Sequence, residues 1–229
     1  MTRQLSMTEG KIVPALLNFA VPVLMSGFLQ ALYGAVDLLV VGRYDSSAAV
    51  SAVATGSQMM QTITGAVLGL SMGGTVMIGH AIGEKEPEKA ARAVGTLAVL
   101  FAVIAAVCTA FMTLATGWVT GLLHTPQEAF VYARQYIFIC SSGIPFIIGY
   151  NAVSSIFRGI GDSKTPMYLV AAACVVNVVL DFLLVGGFHM GAAGAALATI
   201  AAQGLSFFLS LFIIARRGFP FDFGRRHFK

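Results

Sequence analysis

Two acidic side chains lie inside apolar stretches of the sequence, where a charge is costly. Asp181 stands in CVVNVVLDFLLVGG, residues 174–187, and Asn177 precedes it by four positions. On a helix, this spacing places the amide and the carboxyl group on one face. Asp37 stands in a second apolar stretch, with Tyr33 four positions before it. Because a lone aspartate at the centre of a bilayer costs roughly 2.5–3.5 kcal/mol on insertion scales, these residues indicate a function.

Such groups can bind a proton or a cation. Two carboxylates in a pocket of low dielectric constant cannot both stay ionised at little cost, so we expect a shared proton or a bound cation. Carboxylate, amide and hydroxyl oxygens are ligands that a hard cation such as Na⁺ accepts, and the sequence does not choose between Na⁺ and H⁺. The alternative is a structural hydrogen-bond cluster between helices, at about 0.6 kcal/mol per contact.

The composition requires that membrane helices position these groups. The chain of 229 residues is 57% hydrophobic and 10% charged, whereas a soluble domain is about 25% charged. A helix needs about 20 apolar residues to cross a bilayer, and open strands cannot satisfy their backbone in lipid. We therefore predict an all-α integral membrane bundle of six transmembrane helices, at about 12–41, 47–80, 92–117, 129–156, 166–186 and 191–215. Pro22 and Pro145 lie inside two of these spans and predict kinks.

The distribution of basic residues predicts the orientation. If the N-terminus is cytoplasmic, the outer side carries only Arg43 and Arg134. The inner side then carries Arg3, Lys11, Lys85, Lys89, Arg92, Arg158, Lys164, Arg216, Arg217, Arg225, Arg226 and Lys229. This bias predicts a multi-pass protein of the cell membrane with both termini in the cytoplasm. It also explains the net charge of +4 without a nucleic-acid partner.

The predicted spans bring the polar groups to one depth. Asp37 and Asp181 each stand five residues before the predicted outer end of their spans, which is about 7–8 Å deep at 1.5 Å per residue. Thr199 enters from the same side on span six, and Asn177 lies one turn deeper than Asp181. We therefore expect these oxygen groups to form one layer in the outer half of the bundle.

Enzymatic chemistry has no support in the sequence. No nucleophile and base stand at catalytic spacing, and no cluster of His or Cys has the spacing of a metal site. The four histidines, His80, His124, His189 and His227, lie in loops or at the ends of spans. We expect no catalytic residue, no cofactor, and no metal other than Na⁺.

The loop FRGIGDSKTPM, residues 157–167, suits a turn between two helices. Its glycines permit a tight turn, Asp162 or Ser163 can cap the next helix, and proline suits the first helical turn. We interpret the motif as a scaffold. Its residues are Arg158, Gly159, Gly161, Asp162, Lys164 and Pro166.

This loop, together with LYGAVDLLVVGR, IGHAIGEKEPEKAARAVG and VVNVVLDFLLV in the same order, resembles the multidrug and toxic compound extrusion (MATE) family. The resemblance covers the whole chain but only the N-terminal half of the family fold. It implies a secondary antiporter that expels cationic or amphipathic drugs in exchange for H⁺ or Na⁺. It also implies twelve helices in two six-helix lobes around a central cavity.

The resemblance assigns roles to individual residues. It implies that Asp37, Asn177, Asp181 and Thr199 form the cation or proton site of the N-terminal lobe. Tyr33 and Asn151 match accessory polar positions, and Pro22 matches a proline of the first helix that is proposed to bend during transport.

One lobe is an incomplete transporter. Residues 1–229 form a single predicted lobe, so we expect a truncated half that lacks its C-terminal lobe, with a homodimer of halves as the alternative. Two other functions stay open, a non-transporting membrane fragment or assembly subunit and a flippase for lipid-linked precursors. The acidic charge inside the spans disfavours the flippase, which needs a basic cavity. The expected partners are the lipid bilayer, small cationic or amphipathic substrates, and a second lobe.

Overall fold

The computed structural model of the protein describes residues 12–218 and Gly224. Its eight α-helices are α1 (Ile12–Tyr44), α2 (Ser47–Gly83), α3 (Pro87–Leu114), α4 (Thr116–Leu122), α5 (Gln127–Ser142), α6 (Ile144–Gly159), α7 (Lys164–Asp181) and α8 (Gly191–Arg217). The described part contains no strand. Five residues used above to predict orientation lie outside the described residues: Arg3, Lys11, Arg225, Arg226 and Lys229. Both termini and His227 also lie outside them.

The prediction of a helical membrane bundle is confirmed. Five of the helices are long and apolar enough to span a membrane, and α5 and α6 together form a sixth, broken span. The break lies at Gly143 and bends the span by 47°. Pro145, the second residue of α6, lacks the N–H that would continue the helical ladder, so the predicted kink is present there. By contrast, α1 runs through Pro22 as one helix.

The helices differ from the predicted spans mainly at their ends. The first, second and last begin as predicted and extend two or three residues further, to Tyr44, Gly83 and Arg217. The third begins at Pro87 and stops at Leu114, where a separate short helix, α4, follows. Pro87 occupies the first turn of α3, where its missing N–H needs no partner.

The packing divides the bundle into two groups. The helix α7 packs mainly against α1 and α8, whereas α2 packs against α3, α5 and α6. Most of the buried apolar core lies in the second group and includes Val53, Ile78, Tyr136 and Ile148. The helix α8 also contacts α5 and α6 and so joins the two groups. The polar residues predicted to bind a cation all belong to the first group.

The fifth span changes its helical form directly after Asp181. The α-helix ends there, and Phe182–Gly187 continues as a π-helical segment, in place of the α-helix predicted to residue 186. The N–H of Phe188 donates to the carbonyl oxygen of Leu183 at 2.9 Å, five residues earlier. Phe182 packs edge-to-face against Tyr44 at the end of α1, with ring centroids 6.5 Å apart. Short π-helical turns inside helices are frequent at functional sites.

The loop FRGIGDSKTPM closes α6 and starts α7. The N–H groups of Gly161 and Asp162 donate to the carbonyl oxygens of Arg158 and Phe157, which is the Schellman pattern of a helix end. Gly161 has φ of +86°, a conformation that glycine adopts without strain. Asp162, and not Ser163, caps α7, because its carboxylate accepts from the N–H and the hydroxyl of Thr165 at 2.9 and 2.6 Å.

One other loop residue acts differently from its predicted role. Gly159 is the last residue of α6, not a turn residue, and a Cβ there would meet Ile78 on α2 at 2.8 Å. Its role is therefore close packing of two helices. Pro166 lies in the first turn of α7, as the motif predicts, and Lys164 is the first residue of that helix.

Candidate functional site

The two aspartates lie side by side in the bundle. Asp37 projects from α1 and Asp181 is the last residue of α7, and both are buried, at 3% and 0% exposure. Their carboxyl groups are close enough for a hydrogen bond when one of them carries a proton. The structure thus brings together two acids that are 144 positions apart, from 37 to 181, in the sequence.

Neutral polar groups surround the acids. The hydroxyl of Thr199, on α8, donates to Oδ2 of Asp37 at 3.0 Å. Asn177 lies one turn before Asp181, is fully buried, and has its amide beside Asp37. We call Asp37, Asn177, Asp181 and Thr199 the acid cluster. Three helices, α1, α7 and α8, contribute to it.

Several atoms of the acid cluster have no protein partner. Oδ1 of Asp37, both carboxyl oxygens of Asp181, and both amide atoms of Asn177 are buried without a hydrogen bond in the described part of the chain. Leaving a buried polar group unsatisfied costs about 1–3 kcal/mol, and more for a charged group. A proton between the carboxyl groups would satisfy part of this set, and a cation could be coordinated by the carboxyl oxygens and Oδ1 of Asn177. The oxygen-only ligand set is suited to a hard cation.

A second polar pair lies one turn along α1. Gln203, on α8, donates from Nε2 to the hydroxyl oxygen of Tyr33 at 2.8 Å. Gln203 was not predicted from the sequence. It follows Thr199 by four positions, which is the same spacing as between Asn177 and Asp181. This spacing was the signal in the sequence that could have placed Gln203 on the same helix face as Thr199. The pair extends the polar contact between α1 and α8.

The remaining predicted residues lie elsewhere. Asn151, on α6, donates to the carbonyl oxygen of Ile147 at 2.8 Å and lines a cavity that none of the acid cluster lines. Pro22 lies fifteen residues before Asp37 on α1, which corresponds to about 22 Å. Its carbonyl oxygen accepts a hydrogen bond from Ser26 at 2.8 Å. Neither residue contacts the acid cluster.

Comparison with known proteins identifies the family of the chain. The sequence profile of the MatE family matches residues 22–183. The probable multidrug resistance protein YpnP of Bacillus subtilis (strain 168) is 32% identical over 219 residues, which are 95% of this chain and 49% of that protein. The multidrug export protein MepA of Staphylococcus haemolyticus (strain JCSC1435) is 23% identical over 96% of this chain and 49% of its own length.

Solved structures share the fold. A crystal structure of MATE in the bent conformation superimposes with a TM-score of 0.91 at 22% identity, over 100% of this chain and 51% of that one. A transporter of the MOP superfamily from Pyrococcus furiosus gives a TM-score of 0.89 at 23% identity, again over 51% of its length. The chain therefore spans about half the length of the relatives that it matches. Its six-span bundle corresponds to one lobe of these transporters, and the chain belongs to the MatE family of multidrug and toxic compound extrusion proteins.

Proposed function

We propose that this chain forms the N-terminal lobe of a secondary antiporter that exports cationic or amphipathic compounds in exchange for H⁺ or Na⁺. The observation that carries the proposal is the acid cluster, in which two buried carboxyl groups meet with unsatisfied oxygens between three helices. The names of the relatives, multidrug resistance and multidrug export proteins, support the choice of drugs as cargo.

The acid cluster couples ion binding to helix movement in this proposal. Asp37 and Asp181 lie at the contact between α1 and α7. When both are ionised in a pocket of low dielectric constant, they repel each other and favour separation of the two helices. A proton or Na⁺ cancels this repulsion, so α1 and α7 close, and the movement of α1 favours release of the drug to the outside.

The membrane potential supplies part of the driving force. One charge that crosses the membrane gains about 2.3 kcal/mol per 100 mV. We place the acid cluster in the outer half of the bilayer of the cell membrane and both termini in the cytoplasm, because basic residues are concentrated at the opposite end of the bundle. The ion therefore enters from outside. Rocking of one lobe against another then returns the site inward, as in transporters built from repeats.

A second lobe completes the proposed cavity. The helix α1 leaves a row of large apolar side chains exposed, among them Leu24 at 71% and Phe28 at 61%. Lipid or another lobe must cover this face, because exposed apolar surface of this extent is unfavourable in water. We propose the C-terminal lobe of a full-length transporter as this partner, with a second copy of the chain as the alternative.

Ion-driven efflux tests the proposal. The complete open reading frame is expressed and reconstituted in vesicles, and efflux of a cationic dye is driven by an imposed H⁺ or Na⁺ gradient. We expect Asp37→Asn to reduce the gradient-driven rate by about tenfold or more, which corresponds to about 1.4 kcal/mol. Glu128→Gln is the matched control, because Glu128 is an exposed acid at the start of α5.

Two outcomes decide against the proposal. Unchanged coupling in Asp37→Asn would remove the role given to that acid. Absence of any flux from the unmodified protein would instead favour an assembly subunit without transport activity.

A further inference from the structure

A cavity with several polar side chains in its wall lies toward the opposite end of the bundle from the acid cluster. It has a volume of about 190 Å³ and lies between α1, α2, α6 and the start of α7. No acidic residue lines it, and its polar lining residues are Ser26, Gln30, Tyr150, Asn151, Ser154, Arg158 and Ser163. The cavity therefore has one formal charge, which is positive.

Arg158 has no counter-ion inside this cavity. Its side chain is partly buried, and its Nε donates to the backbone carbonyl oxygen of Ser154 at 3.3 Å. No carboxylate of the described residues lies within ion-pair distance of it. By contrast, Arg217 at the same end contacts Asp162 at 3.6 Å, and Lys89 contacts Glu86 at 2.6 Å. A guanidinium that is partly withdrawn from water without a counter-ion is costly, so the site favours an anion.

Neutral hydrogen-bonding groups accompany the charge. Ser154 and Ser163 are both buried, at 4% exposure. The hydroxyl of Ser154 lies beside that of Tyr150, yet Oγ of Ser154 makes no hydrogen bond within the described residues. Tyr150 instead donates to the carbonyl oxygen of Pro166 at 3.0 Å. A fork of guanidinium N–H groups beside the free hydroxyl of Ser154 matches an oxyanion such as phosphate.

The size of the cavity excludes a drug-sized ligand. Pockets for such molecules measure roughly 300–1,000 Å³, which is larger than the about 190 Å³ found here. The apolar side chains of Leu24 and Phe28 lie exposed on the neighbouring stretch of α1, where acyl chains could lie along the helix. We propose that this cavity binds a phosphate group through Arg158 and Ser154, from a phospholipid of the adjacent leaflet or from a soluble phosphate.

Lipid retention by the purified full chain tests this site. Native mass spectrometry measures retention of phosphatidylglycerol at increasing lipid concentration. We expect one tightly held lipid per chain and a loss of affinity of about tenfold in Arg158→Gln, because a charge-assisted bidentate contact is removed. Arg216→Gln is the matched control and should stay within about twofold, because Arg216 is exposed at the same end and stacks on Phe212 at 5.1 Å.

Inorganic phosphate distinguishes the two sources. Equilibrium dialysis with labelled phosphate, followed by competition against phosphatidylglycerol, gives two supporting results. Lipid that is bound and displaced by phosphate identifies a headgroup site, and phosphate bound without lipid identifies a soluble ligand. Equal loss of binding in Arg158→Gln and Arg216→Gln would show general attraction to basic residues and would overturn the proposal. So would absence of binding by both probes.

Two conservative variants test the same site with less risk of misfolding. Arg158→Lys keeps the charge but loses the fork, and Ser154→Ala removes one hydroxyl without adding volume. Each should weaken phosphate or lipid binding by about threefold while the protein remains folded, which circular dichroism checks. Binding equal to that of the unmodified protein in both variants would refute the site. None of these measurements uses efflux, so the outcome is independent of the proposed antiport.

Discussion

Thr199 joins α8 to the two acids of the cluster. Thr199 is partly buried, and its hydroxyl donates to the Asp37 carboxylate at 3.0 Å. A threonine hydroxyl can donate to an ionised carboxylate and can also offer a lone pair to a cation. Loss of the hydroxyl should therefore weaken the proposed binding of an ion by the cluster, and it should change little else.

We predict that Thr199→Val weakens ion coupling with little effect on folding. Valine keeps the shape of the side chain and removes a hydrogen bond to a charged group, which contributes about 1.5–3 kcal/mol. The ion concentration for half-maximal efflux should therefore rise by roughly tenfold. The measurement is dye efflux against the concentration of the driving ion, together with the apparent affinity for the dye, which should change little.

Thr199→Ser and Thr120→Val are the controls for this prediction. Serine retains the hydroxyl and should restore the ion dependence. Thr120 is buried and its hydroxyl donates to Thr116 of its own helix, so valine there should leave ion dependence unchanged. A change of equal size in Thr199→Ser would mean that the methyl packing, not the hydroxyl, is responsible.

The sequence allowed prediction of the acids but not of all their neighbours. Asp37 and Asp181 stand out because an acid in an apolar stretch has a large insertion cost. Gln203 gave a weaker signal, because the same helix contains several other uncharged polar residues and one glutamine does not stand out among them. Its bond to Tyr33 depends on the rotation of α8 relative to α1, and tertiary packing sets that rotation, not local spacing.

Two helices of the bundle end with the same backbone motif but different residues. The N–H groups of Lys85 and Glu86 donate to Ile82 and Ala81 at the end of α2, in the Schellman pattern that also closes α6. Lys85 has φ of +58° where the α6 motif has Gly161 at +86°. A side chain in this left-handed conformation costs about 1–2 kcal/mol. The α2 end is therefore the strained one.

We predict that Lys85→Gly stabilises the protein. Relief of the left-handed strain exceeds the entropy that glycine loses on folding, about 0.5–1 kcal/mol, and leaves a net gain of roughly 0.5–1 kcal/mol. Gly161→Ala should act in the opposite sense and cost about 1 kcal/mol or more. Thermal unfolding of the purified protein in detergent measures both changes.

Lys85→Gln separates the backbone effect from the loss of charge. It removes the charge and keeps the Cβ, so its midpoint should match that of the unmodified protein. If Lys85→Gln stabilises as much as Lys85→Gly, the gain comes from charge and the strain argument is wrong.

At the scale of the elements, hydropathy predicted the spans well, because a stretch of about 20 consecutive apolar residues nearly always forms a membrane helix. The bend near Pro145 was also predictable, since proline removes a helical hydrogen bond. The π-helical segment was not. Its sequence, FLLVGG, is compatible with an α-helix, and the change to i→i+5 bonding depends on the contacts of Phe182 and Val185 with the rest of the bundle. The separation of α4 from α3 escaped prediction for a similar reason.

Charge divides the whole molecule into two ends. The end formed by the α2–α3 turn, the α6–α7 turn and the end of α8 carries seven of the described basic residues, Lys85, Lys89, Arg92, Arg158, Lys164, Arg216 and Arg217. The other end carries Arg43 and Arg134. Orientation in the membrane follows the distribution of Lys and Arg, while acidic residues contribute little. The acid cluster lies nearer the end that is poor in basic residues.

We predict that the end poor in basic residues faces outward. A cysteine in place of Gln127, exposed at the start of α5, should react with a membrane-impermeant maleimide in intact cells. A cysteine in place of Glu84, exposed at the end of α2, should react only after the cells are permeabilised. The unmodified protein is the control, because Cys140 and Cys174 are buried and Cys108 is partly buried. The reverse labelling pattern would invert the topology, and the acid cluster would then meet ions from the cytoplasm, which contradicts the direction of coupling proposed above.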